Sequence, residues 1–152
     1  MPETKLKADF LPPRWLLKLF TRINVWVYRG SGGRLMNRLA GRPICLVETM
    51  GRRSGKRIRI PLMYVPEGDR IYLVASQGGA PRHPVWFYNL TANPKVIIEA
   101  EGVRRSMTAE VLAGAARDKA WQRCVECYPD YETYRTRTER QIPVFECRPS
   151  EE

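Results

Sequence analysis

A basic turn between two apolar runs is the stretch of this sequence whose residue types best suit ligand chemistry. Residues 50–59 contain five basic residues, two glycines and a serine. Residues 44–47 and 61–65 flank this stretch, and the pattern predicts a strand, a turn and a second strand. Backbone N–H groups and guanidinium donors in such a turn suit a phosphate or several carboxylates. The alternative is an ordinary hairpin with a solvated basic tip, and the local sequence leaves both interpretations open.

A second glycine-bearing loop and a tyrosine series could complete a site with this turn. Ser76-Gln77-Gly78-Gly79 follows another predicted strand. In an antiparallel barrel the two loops can meet, one supplying charge and the other a close backbone approach, since glycine lacks a side chain. Tyr128, Tyr131 and Tyr134 are spaced by three, which places them on one side of a helix. Such stripes are usually core, but three tyrosines can also wall a pocket for a flat substrate.

Several common kinds of site find no support in the sequence. His83 is the only histidine and no G-x-S-x-G motif occurs, which argues against a serine hydrolase. Cys124 and Cys127 form a lone C-x-x-C pair in a predicted helix, so we expect no metal site. No G-x-G-x-x-G motif follows a strand, so a Rossmann nucleotide site is not predicted.

The charge distribution points to an anionic partner on one side of the protein. The chain has 152 residues, which favours one domain, and its net charge is +10. Residues 1–60 hold 14 of the 26 Lys and Arg residues but only three of the 16 Asp and Glu residues. The partner could be membrane lipid, nucleic acid or a polyanionic cofactor. No nucleic-acid-binding motif is present, so we do not expect nucleic-acid binding. No signal peptide is evident, so we expect a cytoplasmic protein.

The N-terminal segment predicts a strongly amphipathic helix. Pro12-Pro13 is a helix-start signal, and residues 14–29 follow a helical period. Arg14, Lys18, Arg22 and Arg29 share one side, whereas two tryptophans and several aliphatic residues share the other. This helix could lie in an anionic membrane interface or pack its apolar side on the core. We therefore divide the chain into a flexible N-terminus (1–12), this helix (13–30) and one barrel domain (31–149).

The remaining pattern predicts an α+β fold built on about six mainly antiparallel strands. The predicted strands are residues 44–49, 57–65, 70–76, 95–100, 104–111 and 142–147. The predicted helical segments are residues 34–40, 85–90, 113–128 and 130–140. Because few helices separate the strands, a small barrel with flanking helices is favoured.

These motifs, in this order, resemble one family of oxidoreductases. The matching segments are Gly51-Arg52-Arg53-Ser54-Gly55, Pro61-Leu62, residues 75–79, 84–86 and 89–94, and residues 137–144. On these segments the chain resembles the deazaflavin-dependent nitroreductase family, which uses coenzyme F420, from about residue 13 to residue 149. Some positions depart from the family pattern. Gln77 stands where lysine is common, and Glu48 and Met50 replace threonines.

The resemblance implies a split β-barrel, similar to the FMN-binding split barrels, and a function as an F420H2-dependent reductase. The acceptor would be a quinone, a nitroaromatic compound or an activated enone. The implied contacts to the cofactor tail are Arg52, Arg53, Ser54, Gly55, Lys56 and Arg59. The implied contacts to the ring and ribityl chain are Ala75, Ser76, Gln77, Gly78, Gly79, Trp86 and Asn89, and Pro61 is a further implied cofactor contact. The implied substrate contacts are Tyr128, Tyr131 and Tyr134, with Ser76, Tyr131 and Tyr134 as the catalytic hydrogen-bond donors.

Two alternatives and three partner predictions accompany this interpretation. The alternatives are a split barrel that binds FMN or haem, and a deazaflavin-binding protein without catalytic activity. We expect a monomer or weak dimer with a small-molecule acceptor. We also expect peripheral contact of residues 14–29 with the inner face of the cell membrane.

Overall fold

A single curled antiparallel sheet forms the body of the protein in the computed structural model, which describes residues 38–39 and 42–151. Within these residues there are eight strands, three α-helices and one 3-10 turn. The strands are β1 (Arg38–Leu39), β2 (Arg42–Met50), β3 (Arg57–Met63), β4 (Val65–Glu67), β5 (Arg70–Val74), β6 (Lys95–Ala100), β7 (Val103–Val111) and β8 (Val144–Pro149). The helical elements are the 3-10 turn Gln77–Gly79, α1 (Val85–Ala92), α2 (Gly114–Cys127) and α3 (Asp130–Thr136).

The sheet curls into a barrel because β3 and β4 are two halves of one bent strand. The sheet order is β1-β2-β6-β7-β8-β5-β4, and β3 pairs along β2, so the bent strand joins the two ends of the sheet. Tyr64 separates the halves, and its N–H donates to the Pro43 carbonyl at 3.4 Å. Among the described strands, β3 pairs only with β2 and β4 only with β5, so both halves are edge strands. Proline has no N–H to donate and is tolerated on an edge strand, which explains why Pro61 and Pro66 fit here.

Apolar residues pack on both faces of part of the sheet. The inner core fills the barrel, and its members are Cys45, Val47, Tyr64, Ile71, Leu73, Ala75, Leu90, Val96, Ile98, Met107, Ala109, Phe145 and Cys147. The outer core lies under α2 and α3, and its members are Val65, Val74, Ala120, Trp121, Cys124, Tyr131, Ile142 and Val144. Successive β8 residues belong to different cores, Val144 to the outer core and Phe145 to the inner core, because successive side chains of a strand point to opposite faces. The outer core therefore fixes α3 against the barrel.

The structure confirms the predicted antiparallel barrel with flanking helices and corrects some boundaries. The predicted strand 57–65 is bent at Tyr64 and continues to Glu67, so one predicted strand becomes β3 and β4. The predicted helical piece 34–40 is wrong at its end, because Arg38–Leu39 pairs with β2 as a short strand. The predicted helix 130–140 ends at Thr136. The predicted helix 13–30 and the segment 1–12 lie outside the described residues.

Candidate functional site

The basic turn between β2 and β3 has a defined backbone. The Gly51 N–H donates to the Lys56 carbonyl, and the Gly55 N–H donates to the Gly51 carbonyl, both at 2.9 Å. The Ser54 hydroxyl oxygen accepts a bond from the Lys56 N–H at 3.2 Å. A Cβ atom added at Gly51 would lie 2.5 Å from that hydroxyl oxygen, so a larger residue there would displace the Ser54 side chain. The turn is therefore an ordered platform for its side chains.

The cations of the turn divide into free and paired groups. Arg52, Arg53 and Lys56 are exposed, and no carboxylate of residues 42–151 lies within ion-pair distance of them. Arg59 differs, because its Nε donates to the Oε2 atom of buried Glu48 at 2.9 Å. Arg57 and Arg104 also approach Glu48, at 3.5 and 3.6 Å. The structure thus gives Arg59 an internal partner, whereas the three exposed cations remain available to a bound anion.

The turn is docked on helix α1. The Arg52 N–H donates to the Oδ1 atom of buried Asn89 at 3.0 Å. The Arg52 guanidinium lies over the Tyr88 ring, 4.6 Å from its centroid, and contributes a cation–π contact. Asn93 Nδ2 also donates to the Met50 carbonyl at 3.5 Å. The predicted cofactor residue Asn89 therefore orients the basic turn.

The loop after β5 has an unusual backbone. Gln77, Gly78 and Gly79 have φ values of 45°, 64° and 83°, and for a residue with a side chain this region is strained. The Gly79 N–H bonds to the Ser76 carbonyl at 2.9 Å, and the Ala80 N–H bonds to the Gln77 carbonyl at 3.1 Å. The N–H groups of Gln77 and Gly78 donate to no acceptor in the described part of the chain. Two adjacent donors are thus open to a ligand.

The same loop is packed against the end of α3. A Cβ atom at Gly79 would lie 2.5 Å from the Tyr134 carbonyl oxygen and 2.8 Å from Arg137 Cβ. Arg137 also donates from Nη1 to the Gly78 carbonyl at 3.3 Å, and its guanidinium lies 5.4 Å from the centroid of the Tyr134 ring. The structure therefore places the predicted loop Ser76–Gly79 directly beside the predicted tyrosine helix.

The three predicted tyrosines form one cluster, but their exposure differs. The hydroxyls of Tyr128 and Tyr134 are 3.0 Å apart, and both rings contact Tyr131 edge-on. Burial, with hydrogen bonds to Tyr134 and Asp130, raises the pKa of Tyr128 well above its ordinary value. Its hydroxyl therefore stays protonated at neutral pH. Tyr131 is only 2% exposed and belongs to the outer core, whereas Tyr128 and Tyr134 are half-buried.

Three further predicted residues contribute packing around the site. Trp86 is half-buried, and its ring centroid lies 5.5 Å from that of Phe145 in the inner core. Ala75 is fully buried, and its N–H donates to the Pro143 carbonyl at 2.9 Å. Pro61 lies opposite Leu46 in the β2–β3 ladder. Trp86 therefore packs on the inner core, whereas Ala75 and Pro61 are positioned by their backbone neighbours.

The two loops are joined by Tyr88, His83 and Arg140, residues whose roles the sequence patterns do not predict. The His83 ring lies 6.1 Å from the Tyr88 ring and 4.3 Å from the Phe87 ring. Arg140 Nη1 lies 2.9 Å from His83 Nδ1, and its guanidinium also binds backbone carbonyls on both flanks of the 76–79 loop. Burial, and then the charge of Arg140, lowers the pKa of His83, and burial lowers the pKa of Arg140. The only available signal was that Arg140 lies in the matched segment 137–144.

A large cleft lies elsewhere on the described surface. It measures about 970 Å³ and is lined by residues of β2, β6, β7 and β8, by Arg57 at the start of β3 and by residues 150–151. No residue predicted for cofactor or substrate lines it. We place the candidate site at the two loops instead, because they combine free cations, open N–H donors and hydroxyl groups. Among the described residues no acidic, histidine or cysteine cluster could hold a metal, and no helix is long and apolar enough to span a membrane.

Comparisons with known proteins identify one family. Residues 20–149 match the model of the F420H(2)-dependent quinone reductase family. The F420H(2)-dependent quinone reductase Rv1261c of Mycobacterium tuberculosis is 37% identical over 139 residues, covering 86% of this chain and 93% of that protein. A solved structure of an F420-H2 dependent reductase (FDR-A) is 44% identical with a TM-score of 0.65, covering 70% of this chain and 94% of that one. A solved chain described as a domain-swapped dimer is 37% identical with a TM-score of 0.68, covering 88% and 96%.

Proposed function

Since the chain belongs to the F420H2-dependent quinone reductase family, we propose that it reduces a quinone at the site formed by the basic turn, the Ser76–Gly79 loop and the tyrosine cluster. The observation that supports this location is the continuous row of contacts from Arg52 through Tyr88, His83 and Arg140 to the Ser76 carbonyl. These contacts connect the basic turn with the Ser76–Gly79 loop, which packs against the tyrosine helix α3. When bound, reduced coenzyme F420 supplies the hydride.

The residues of the site fit an elongated, polyanionic cofactor. Arg52, Arg53 and Lys56 carry charges that no carboxylate of the described chain compensates. Guanidinium groups suit phosphate and carboxylate oxygens, which form the tail of this cofactor. The open N–H groups of Gln77 and Gly78 add neutral donors further along the site. We assign the turn to the tail and the Ser76–Gly79 loop to the ring.

The tyrosine hydroxyls and Ser76 would act on the acceptor. A quinone oxygen gains negative charge as it is reduced, and a hydrogen-bond donor aimed at that oxygen stabilises the charge. Tyr134 is half-buried and adjoins the loop, and the protonated Tyr128 hydroxyl lies 3.0 Å from the Tyr134 hydroxyl. We therefore propose Tyr134 as the donor to the acceptor, with Tyr128 supporting it. Ser76, which is 6% exposed, is the second candidate donor.

A reduction assay tests this function. Purified protein is mixed with chemically reduced F420 and a soluble naphthoquinone, and cofactor oxidation and hydroquinone formation are followed together. The proposal expects one hydroquinone for each cofactor oxidised, at a rate proportional to protein concentration. Rates equal to those without protein would contradict it. A nitroaromatic compound and an enone in parallel reactions define the acceptor range, and FMN in place of F420 tests the alternative cofactor.

We further propose that residues 14–29 bring the protein to an anionic membrane surface, where apolar quinones reside. The support is the sequence pattern of four basic residues opposite two tryptophans. Flotation with vesicles containing anionic lipid should recover the protein, and replacing Arg14, Lys18, Arg22 and Arg29 by glutamine should abolish recovery. Equal recovery of both forms would contradict this proposal.

We also propose that any dimer is weak, although one similar chain is described as a domain-swapped dimer. The support is that β3 and β4, which each have one ladder neighbour among the described strands, carry Pro61 and Pro66, and proline on an edge strand disfavours pairing with a second chain. Sedimentation velocity measured over a roughly hundredfold dilution of the protein should show that the dimer dissociates into monomers. A dimer that persists throughout would contradict it.

A further inference from the structure

The Ser76–Gly79 loop needs support from outside its own backbone. Three consecutive residues have positive φ, and Gln77 is not a glycine, so the conformation is disfavoured when isolated. The loop itself has only two internal backbone bonds, from Gly79 to Ser76 and from Ala80 to Gln77. Other contacts must therefore hold the open N–H groups of Gln77 and Gly78 in place.

Arg140 supplies most of this support from one guanidinium. Its Nη1 and Nη2 atoms both donate to the Ala75 carbonyl at 3.2 Å, and Nη2 also donates to the Ser76 carbonyl at 2.9 Å. Its Nε donates to the Ala80 carbonyl at 2.9 Å. These acceptors lie on both sides of the strained residues. The planar fork of arginine can hold both flanks at a fixed separation, which an ammonium group cannot do.

His83 completes the arrangement as an acceptor. An arginine has no acceptor atom, so the 2.9 Å contact between Arg140 Nη1 and His83 Nδ1 requires an unprotonated Nδ1. The His83 ring also packs against Phe87 and Tyr88 of α1. Within the described part of the chain, the charged or titratable groups that contact His83 are Arg140 and Tyr88. If His83 Nδ1 were protonated, it and Arg140 Nη1 would both be donors, and the hydrogen bond between them would be lost.

We propose that Arg140 is the positioning residue of the candidate active site, holding the Ser76–Gly79 loop in its left-handed conformation with neutral His83 as its acceptor. Arg140 need not touch the acceptor molecule to have this role. Arg137 does not share it, because Arg137 is exposed and makes a single bond to the Gly78 carbonyl. The proposal depends on the proposed function only for the cofactor-binding measurement below.

Amide hydrogen exchange tests the positioning role without cofactor. Arg140→Lys keeps the charge but loses the fork, so exchange at Gly79 and Ala80 should accelerate by at least about tenfold while the barrel strands keep their protection. Arg135→Lys is the matched control, since Arg135 is exposed and pairs with Glu132 on α3. Unchanged exchange at Gly79 and Ala80 in Arg140→Lys, or equal acceleration throughout the barrel, would overturn the proposal.

A second pair of variants keeps the test available if Arg140→Lys does not fold. His83→Gln retains an acceptor for Arg140, whereas His83→Leu has none. Loop exchange should accelerate in His83→Leu and return towards the wild-type rate in His83→Gln. Equal rates in the two variants would contradict a role for His83 as the acceptor.

The imidazole itself reports the contact. Because His83 is the only histidine in the chain, its ring resonances can be titrated by NMR without ambiguity. Burial and Arg140 hold the pKa of His83 below its ordinary value of 6.5, so removing the charge in Arg140→Gln should raise it towards 6.5. The same midpoint in wild type and Arg140→Gln would contradict the contact.

Cofactor binding then tests the functional consequence. Arg140→Lys should weaken F420 binding by at least about tenfold in a fluorescence titration, because the ring-side donors lose their fixed position. Arg135→Lys should bind as the wild type does. If wild-type protein does not bind F420, the proposed function fails, whereas the exchange and titration experiments still decide the role of Arg140. Wild-type affinity in Arg140→Lys would overturn the inference.

Discussion

Individual cations of this barrel have different roles that depend on their partners. Arg59 is bound to Glu48, which is only 7% exposed, and Arg57 and Arg104 lie nearby. Arg52 and Arg53 are exposed on the neighbouring turn, with no carboxylate of the described chain beside them. The sequence places Arg52, Arg53, Arg57 and Arg59 in one basic stretch, and only the geometry separates charges paired with Glu48 from unpaired ones. Glu48 is the residue that makes this separation.

Glu48 should make stability depend on pH. Its hydrogen bond with Arg59, which outweighs burial, and the nearby charges of Arg59, Arg104 and Arg57 hold its pKa below the ordinary 4.5. A depressed folded-state pKa contributes stability above pH 4.5 that is lost as pH falls through the folded value. Glu48→Gln should cost about 1–3 kcal/mol of unfolding free energy at neutral pH, discounted because the arginines are partly exposed.

Urea denaturation from acid to neutral pH measures this effect. The difference between wild type and Glu48→Gln should shrink as the pH falls below 4.5. Glu110→Gln provides a control, because Glu110 is an exposed carboxylate on β7 that pairs with Arg148, at 2.7 Å, away from the arginines around Glu48. A constant difference at every pH would contradict the assignment to Glu48.

Tyr134 should matter for turnover more than for folding. Tyr134→Phe keeps the ring but removes the hydroxyl proposed to stabilise charge on the acceptor, so kcat/KM for a quinone should fall by at least about tenfold. Ser76→Ala tests the second donor in the same assay. Tyr72→Phe is the matched control, since Tyr72 lies on β5 and packs against the outer core. Unchanged turnover in both Tyr134→Phe and Ser76→Ala would remove these residues from the mechanism.

At the level of elements, local patterns predicted the strands but not their bends and ends. The six predicted strands all occur in the structure, strand 95–100 with the predicted limits and the other five with shifted limits. The bend at Tyr64 depends on which neighbours pair with each half of the strand, and this is a long-range property. Helix α3 ends at Thr136 rather than residue 140, because the following segment turns to place Arg140 against the carbonyls of Ala75, Ser76 and Ala80. Tertiary contacts overrode helical propensity there.

The packing of the Ser76–Gly79 loop against α3 should be disrupted by a single methyl group added at residue 79. Gly79→Ala would place a Cβ atom 2.5 Å from the Tyr134 backbone, so the loop and helix must separate. We expect a loss of about 2–4 kcal/mol in unfolding free energy, with weaker F420 binding. Gly78→Ala is the control, because its φ is also positive but no atom lies within 4 Å of the added Cβ.

The two glycine variants are compared by thermal unfolding and fluorescence titration. Gly78→Ala should lose only about 1 kcal/mol, the cost of a left-handed alanine. Equal losses in Gly78→Ala and Gly79→Ala would show that backbone strain, rather than packing against α3, determines the effect.

The basic turn should affect affinity more than turnover. Replacing Arg52 and Arg53 together by alanine removes two uncompensated charges, so the Kd for F420 should rise by at least about 30-fold, and the increase should diminish at high salt. At saturating cofactor, kcat should change by less than about threefold. The control replaces Arg105 and Lys119, two exposed cations on β7 and α2, and makes the same change in net charge. A loss of kcat with unchanged affinity would place the turn at the reacting centre.

For the whole molecule, the sequence located the two loops and the tyrosines but not what joins them. Glycine and charge patterns mark each loop locally, and the family resemblance supplied their order. The bonds of Arg140 instead span 57 to 65 residues of sequence, and such contacts follow only from the closed barrel. Tyr131 is a residue for which the local pattern left two interpretations open. Its spacing suggested a pocket wall, whereas the packing of α2 and α3 buries it in the outer core.

We propose that this barrel binds F420 through the turn and loop at one end of the sheet. The most direct test is a fluorescence titration of the wild-type protein with oxidised F420, beside an identical titration with FMN. We predict a saturable change with F420 at micromolar concentrations, lost when Arg52 and Arg53 are both alanine, and no response to FMN at the same concentrations. Saturable binding of FMN without binding of F420, or F420 binding that is indifferent to the turn, would contradict this account.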